Sequence, residues 1–161
     1  METALEFMER RFYLPGYMCL RELSYQGDSI VFNFQPVEPP VTTHIKYFTP
    51  RGLHLAISQG TYAFLEELAK NNQVDLNHDQ LREICLAGRL KLVEMSFRFR
   101  REIKLDKNLS GKLDLTKMRL GKMPLLKMDF DIEDRSLTGS LTGLISPIPV
   151  PQINQDVARN N

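Results

Sequence analysis

The sequence predicts an α+β fold in which a curved antiparallel sheet wraps around one buried helix near residues 52–70. Three observations carry this reading. From Gly52 to Leu65 the chain is apolar almost all round a helical wheel, and a helix of that kind is buried rather than laid on a surface. A hairpin pattern precedes this segment. A short helix and four strand patterns follow it, and strands and helices that do not alternate cannot build a parallel α/β sheet.

The elements follow in order. Met18–Tyr25 reads as a strand, Gln26-Gly27-Asp28-Ser29 as a turn, and Ile30, Phe32 and Phe34 alternate with Val31, Asn33 and Gln35 at the period of a second strand. Pro39-Pro40 breaks the pattern, because proline cannot donate to a ladder. A loop over Val41–Arg51 carries His44, Tyr47 and a second break at Thr49-Pro50. In the central helix, Leu53, Ile57, Gly60, Phe64 and Leu68 recur on one face, while Glu66 and Glu67 read as its solvated side. Asn77 with Gln80 three residues on predicts a capped second helix, which Gly88 stops. His78 reads as part of that helix start and carries no role. Leu90–Arg101 alternates as a strand. A strand after a Ser110-Gly111 turn carries Leu113–Leu120. Leu125–Ile132 alternates again, and Leu137–Ile145 closes the set after a turn at Glu133–Ser136. The 161 residues suggest one domain, with a core of about 12–146 and an extended, proline-punctuated tail over 147–161.

Composition narrows the function classes. The net charge is +1 and no nucleic-acid motif appears, so a nucleic-acid partner is not expected. No stretch approaches the ~18 apolar residues of a membrane span, and the acidic N-terminus is no secretory signal, so a cytoplasmic protein is expected. Cys19 and Cys85 sit among apolar neighbours as reduced core thiols do, although the sequence leaves a disulfide between them open. The three histidines lack metal-ligand spacing; neither a metal nor a cofactor is expected.

The order of elements, with Gly52-Leu53-His54 opening an apolar helix, resembles the hot-dog superfamily, and within it the FcoT-type long-chain fatty acyl-CoA thioesterases. Tyr25-Gln26-Gly27-Asp28-Ser29, Ile45-Lys46-Tyr47-Phe48-Thr49 with Gly52-Leu53-His54, Ser96-Phe97-Arg98-Phe99-Arg100-Arg101, and Phe130-Asp131 through Leu141 carry the likeness over most of residues 12–145. It implies a homodimer or higher oligomer joined edge to edge, with sites near the start of the central helix. It also implies tyrosines and an asparagine near that start. This sequence places His54 at the asparagine, Tyr13 or Phe12 at the first tyrosine, and His44 or Tyr47 at the second. Gln59 falls where other hot-dog thioesterases carry an acid; an amide can hold a water but cannot act as a base.

Thioester hydrolysis needs an oxyanion stabiliser and a positioned water. The helix start offers the amides of Gly52, Leu53 and His54. His54, Ser58 and Thr61 form a polar stripe at i, i+4 and i+7 on an otherwise apolar segment. They either line a site or satisfy themselves on the helix backbone. Tyr47 would donate to an oxyanion, and His44 would act as base. Arg98, Arg100 and Arg101, with Lys104 and Lys107, form either a solvated strand face or a site for the phosphate of coenzyme A or an acyl carrier protein. The expected function is an acyl-thioester hydrolase acting on acyl-CoA or acyl-carrier-protein substrates. A 3-hydroxyacyl dehydratase pairing His54 with a partner's Glu66, or a non-catalytic acyl-binding protein, is the alternative.

Overall fold

The computed structural model describes residues 2–13, 16–36, 48–74, 76–104, 108–119 and 125–145. His44, Tyr47, Lys107 and the proline-rich tail lie outside them. Among the described residues, no helix is long and apolar enough to cross a membrane.

The chain opens with a helical segment that the sequence reading missed. Ala4–Phe7 forms α1, and Met8–Phe12 continues it as a wider turn that closes with the Tyr13 amide donating to the Met8 carbonyl at 2.9 Å. Thr3 and Glu6 cap each other reciprocally at its start, a Thr-x-x-Glu signal that is present in the sequence. The segment buries Ala4, Phe7 and Met8 in the core.

Strands β1 (Leu20–Gln26) and β2 (Ser29–Phe34) form the expected hairpin around Gly27, whose φ of +62° suits a glycine. The central helix α2 runs over Pro50–Lys70, two residues earlier than expected. The Thr49-Pro50 break is in fact its start: Thr49 is the N-cap and proline sits at the first helical position, where its missing N–H costs nothing. The second helix, α3 (His78–Leu86), has the predicted Asn77–Gln80 capping box.

The remaining strands are β3 (Leu90–Phe99), β4 (Leu109–Arg119), β5 (Leu125–Ile132) and β6 (Leu137–Ile145). The sheet order is β1-β2-β4-β5-β6-β3, antiparallel throughout. Only β4–β5–β6 form a meander; β3 crosses to the far edge and pairs with β6. Ser110-Gly111 is not a turn but the second and third residues of β4. The glycine is needed there for space, since a Cβ at Gly111 would sit 2.5 Å from the Phe32 ring.

Phe32 fills a close approach of helix to sheet. It stands between Gly111 and Gly60 of α2, where an added Cβ would come 3.2 Å from the same ring and 3.0 Å from Leu113. Cys19 and Cys85 are buried free thiols, both pushed up to about 12 by burial, which makes them inert at neutral pH. Gly139 of β6 has even less room than Gly111. A Cβ there would overlap the Ser96 carbonyl of the neighbouring strand and the Phe130 ring, and a backbone atom cannot swing away. Gly139→Ala is therefore expected to destabilise the fold by about 1–3 kcal/mol, read as a lowered urea midpoint.

Candidate functional site

Two buried polar side chains set the rotation of α2 about its own axis. Gln59 is fully buried. Its Oε1 accepts from the Cys19 amide at 3.0 Å, the Leu20 amide at 3.2 Å and the Cys19 thiol at 3.0 Å, and its Nε2 donates to the Tyr17 carbonyl at 2.8 Å. These bonds satisfy backbone groups where the chain enters β1. Gln59 was expected to hold a catalytic water; the structure engages its carboxamide with the backbone instead and does not bring it to the cavity described below.

Seven residues on, Glu66 lies on nearly the same side of the helix. The expectation of a solvated glutamate is wrong for Glu66, which is fully buried, whereas Glu67 is half-buried. Glu66 Oε1 accepts from Arg82 Nη2 at 2.9 Å and meets His78 Nε2 at 2.7 Å, with Lys70 Nζ at 3.6 Å. Burial pushes its carboxyl up, but hydrogen bonds from Tyr62, His78 and Arg82 outweigh that and hold it below the usual range. Arg82 also grips Glu2 at 2.8 Å and stacks over the Phe7 ring at 4.3 Å, tying the N-terminal segment to α3. This arrangement removes the dehydratase pairing, because Glu66 is committed to its own subunit's Arg82 and His78.

On the other side of α2 lies a cavity of about 360 Å³, bounded by His54, Ser58, Thr61 and Tyr62 of the helix, Tyr13, and Leu90–Leu92 with Gly143 of the sheet. The predicted polar stripe is thus a real wall. His54 is exposed, Ser58 half-buried and Thr61 only 2% exposed, so the stripe runs from mouth to depth. Thr61 Oγ1 has no hydrogen-bond partner among the described residues, so it forgoes the usual bond to its own helix backbone. An unsatisfied buried hydroxyl costs about 1–3 kcal/mol. Burial pushes the Tyr13 phenol well above its ordinary range, keeping it a protonated donor. Tyr62 and Lys91 belong to the wall and were not foreseen. The apolar pattern of the helix gives no sign of the place of Tyr62, and Lys91 comes from β3, far along the chain.

The other expected site residues fall elsewhere. Gly52 is buried and donates its amide to Thr49 Oγ1 at 3.3 Å, and the Leu53 amide donates to the Thr49 carbonyl at 3.0 Å. Two of the three expected oxyanion donors are therefore already engaged by the helix cap. Arg98 lies on the opposite face of the sheet, in an open groove with Asp114, Asp129 and Asp131. Arg101 Nη2 donates to the Asp134 carbonyl at 2.6 Å, bracing a turn in which Glu133, Asp134 and Arg135 all have positive φ. Arg100 is exposed and its amide donates to the Ser136 carbonyl at 2.8 Å. Within one chain, none of these arginines joins His54. Among the described residues, no cluster of His, Cys, Asp or Glu could hold a metal ion.

No protein-family model matches the chain, and no curated protein matches its sequence. Solved structures do match its shape. A Shewanella oneidensis protein named for a proposed thioesterase activity aligns over 81% of this chain and 85% of its own, at 10% identity and a TM-score of 0.55. An HP0420 homologue from Helicobacter felis aligns over 87% of each chain, at 12% identity and a TM-score of 0.53. A mutant thioesterase from Pseudomonas aeruginosa aligns over 80% of this chain and 82% of its own, at 10% identity and a TM-score of 0.53. The fold is therefore the hot-dog fold, a six-stranded antiparallel sheet around a long helix.

The Glu66 cluster makes a stability prediction. A carboxyl held below its unfolded value stabilises the fold above that unfolded value, and the contribution is lost as pH falls through the lower, folded one. Glu66→Ala, which leaves Arg82 without its buried counter-ion, is expected to cost about 3–5 kcal/mol in urea unfolding at neutral pH. The native protein is expected to lose stability as pH falls below the ordinary carboxyl value of 4.5, and Glu66→Gln is expected to flatten that loss.

Proposed function

We propose that the protein is an acyl-thioester hydrolase acting on fatty acyl-CoA or acyl-carrier-protein thioesters, with the cavity beside α2 as its acyl site. The observation that carries this reading is the meeting of His54, Ser58, Thr61 and Tyr13 on one wall, in a fold shared with proteins named as thioesterases. His54 stands at the mouth, where water and the thioester meet. Its imidazole takes a proton from a water, and the water oxygen bonds to the carbonyl carbon. The tetrahedral oxyanion then collapses with cleavage of the C–S bond, and the thiol leaves with a proton returned from the imidazolium. Since the Gly52 and Leu53 amides already donate to Thr49, polarisation of the carbonyl draws on a side chain of the wall. Of the two described phenols on the wall, Tyr62 bonds Glu66, which leaves this part to Tyr13; Tyr47 and His44 remain candidates on sequence grounds.

The working unit in this proposal is a dimer joined through β3. That strand is an edge of the sheet, ten residues long, with Val93 at 61%, Phe97 at 38% and Phe99 at 39% exposure. A long apolar edge invites pairing with another strand. Antiparallel self-pairing about the middle of β3 sets Leu90 of one subunit against the partner subunit's Phe99.

Thiol release from a panel of saturated acyl-CoAs tests the reaction and checks the long-chain preference that the resemblance implies. His54→Ala is expected to lower kcat/KM by about 10²–10⁴-fold with an unchanged far-ultraviolet spectrum. Full activity in that variant would move the reaction centre elsewhere, and no release at any chain length would favour an acyl-binding protein. Light scattering tests the dimer: the pair Phe97→Glu and Phe99→Glu is expected to give a folded monomer.

A further inference from the structure

We infer that the acyl group this cavity takes carries a hydrogen-bonding oxygen, hydroxyl or keto, far from its thioester, and that Thr61 reads it. The inference rests on the reading of the cavity as the acyl site and names the class of acyl group. Thr61 is 2% exposed, and its Oγ1 has no partner among the described residues. A threonine within a helix ordinarily bonds the carbonyl three or four residues back. In a site meant only for a hydrocarbon, turning one side-chain dihedral would reach that bond, whereas the structure keeps the hydroxyl free of it.

The position of Thr61 sets where the oxygen must be. Thr61 follows His54 by seven residues on one face, about 10 Å along the helix axis. A thioester beside His54 therefore extends its acyl chain past Ser58 to Thr61, and the matching oxygen sits near the far end of a chain of about that reach. A hydroxyl on the third carbon would stop short of it. The cavity volume of about 360 Å³ stands at the low end of the ~300–1,000 Å³ typical of ligand sites, which suits a compact acyl group. A site that hydrogen-bonds a substrate oxygen discriminates against the analogue lacking it, because the protein group is then left unpaired.

The test compares 8-hydroxyoctanoyl-CoA, octanoyl-CoA and 3-hydroxyoctanoyl-CoA on the full chain. The native protein is expected to favour the 8-hydroxy substrate over octanoyl by roughly three- to tenfold in kcat/KM. In the near-isosteric variant Thr61→Val that ratio is expected to fall to about one, with an unchanged or raised melting temperature. A native ratio near one, an equal ratio in Thr61→Val, or preference for the 3-hydroxy substrate alone would overturn the inference. If no thioester is cleaved, calorimetric binding of 8-hydroxyoctanoate and octanoate asks the same question without catalysis. Tighter binding of the hydroxy acid that Thr61→Val abolishes sustains the inference while the hydrolase reading fails; equal binding overturns it.

Discussion

The rotation of α2 is the constraint from which the site follows. A helix that is apolar on most of its circumference has no hydrophobic reason to prefer one rotation over another, because every face is content in a core. Gln59 and Glu66 supply the missing direction. Each is fully buried, and each carries polar atoms that must find partners. Gln59 finds them in the backbone entering β1, and Glu66 in Arg82 and His78 of α3. With those two side chains fixed on one side, His54, Ser58 and Thr61 have only one direction left, toward the cavity.

The same polar anchors bind separate parts of the chain together. Arg82 donates through Nη2 to the Glu66 carboxylate and the Glu2 carbonyl and through Nη1 to the Glu2 carboxylate, and Phe7 lies under its guanidinium. Phe7 in turn stacks on Tyr62 at 5.8 Å, and Tyr62 is part of the cavity wall. The N-terminal segment thus reaches the site twice, through Phe7 behind Tyr62 and through Tyr13 on the wall itself. Packing on the opposite side depends on glycine. Gly60 and Gly111 let the Phe32 ring occupy the gap between helix and sheet.

Charge is sorted by the pleat of the sheet. Residues alternate between the helix face and the outer face, so Arg98 shares the outer face with Asp114, Asp129 and Asp131, while Phe97 and Phe99 turn to the other. A run of arginines that looks like one cationic patch in sequence becomes a single Arg98 among three aspartates, a turn brace at Arg101 and an exposed Arg100.

Periodicity alone determined the central helix, the hairpin, the strands at Leu125–Ile132 and Leu137–Ile145, and the stripe from His54 to Thr61, because each is a local pattern that backbone geometry converts directly into a face. The Thr3–Glu6 capping box and the Thr49-Pro50 helix start are equally local, and the same proline that breaks a strand pattern opens a helix when an N-cap precedes it. Partners far along the chain were not legible. Whether Glu66 is solvated or buried depends on Arg82 sixteen residues on, and whether Gln59 holds a water or the backbone depends on Cys19 forty residues back. The crossing of β3 to the far edge of the sheet likewise has no local signal. Residue spacing alone settles which residues share a helical face; only the tertiary structure decides which of those faces meets a cavity, because that choice belongs to the groups packed against the helix and not to the helix itself.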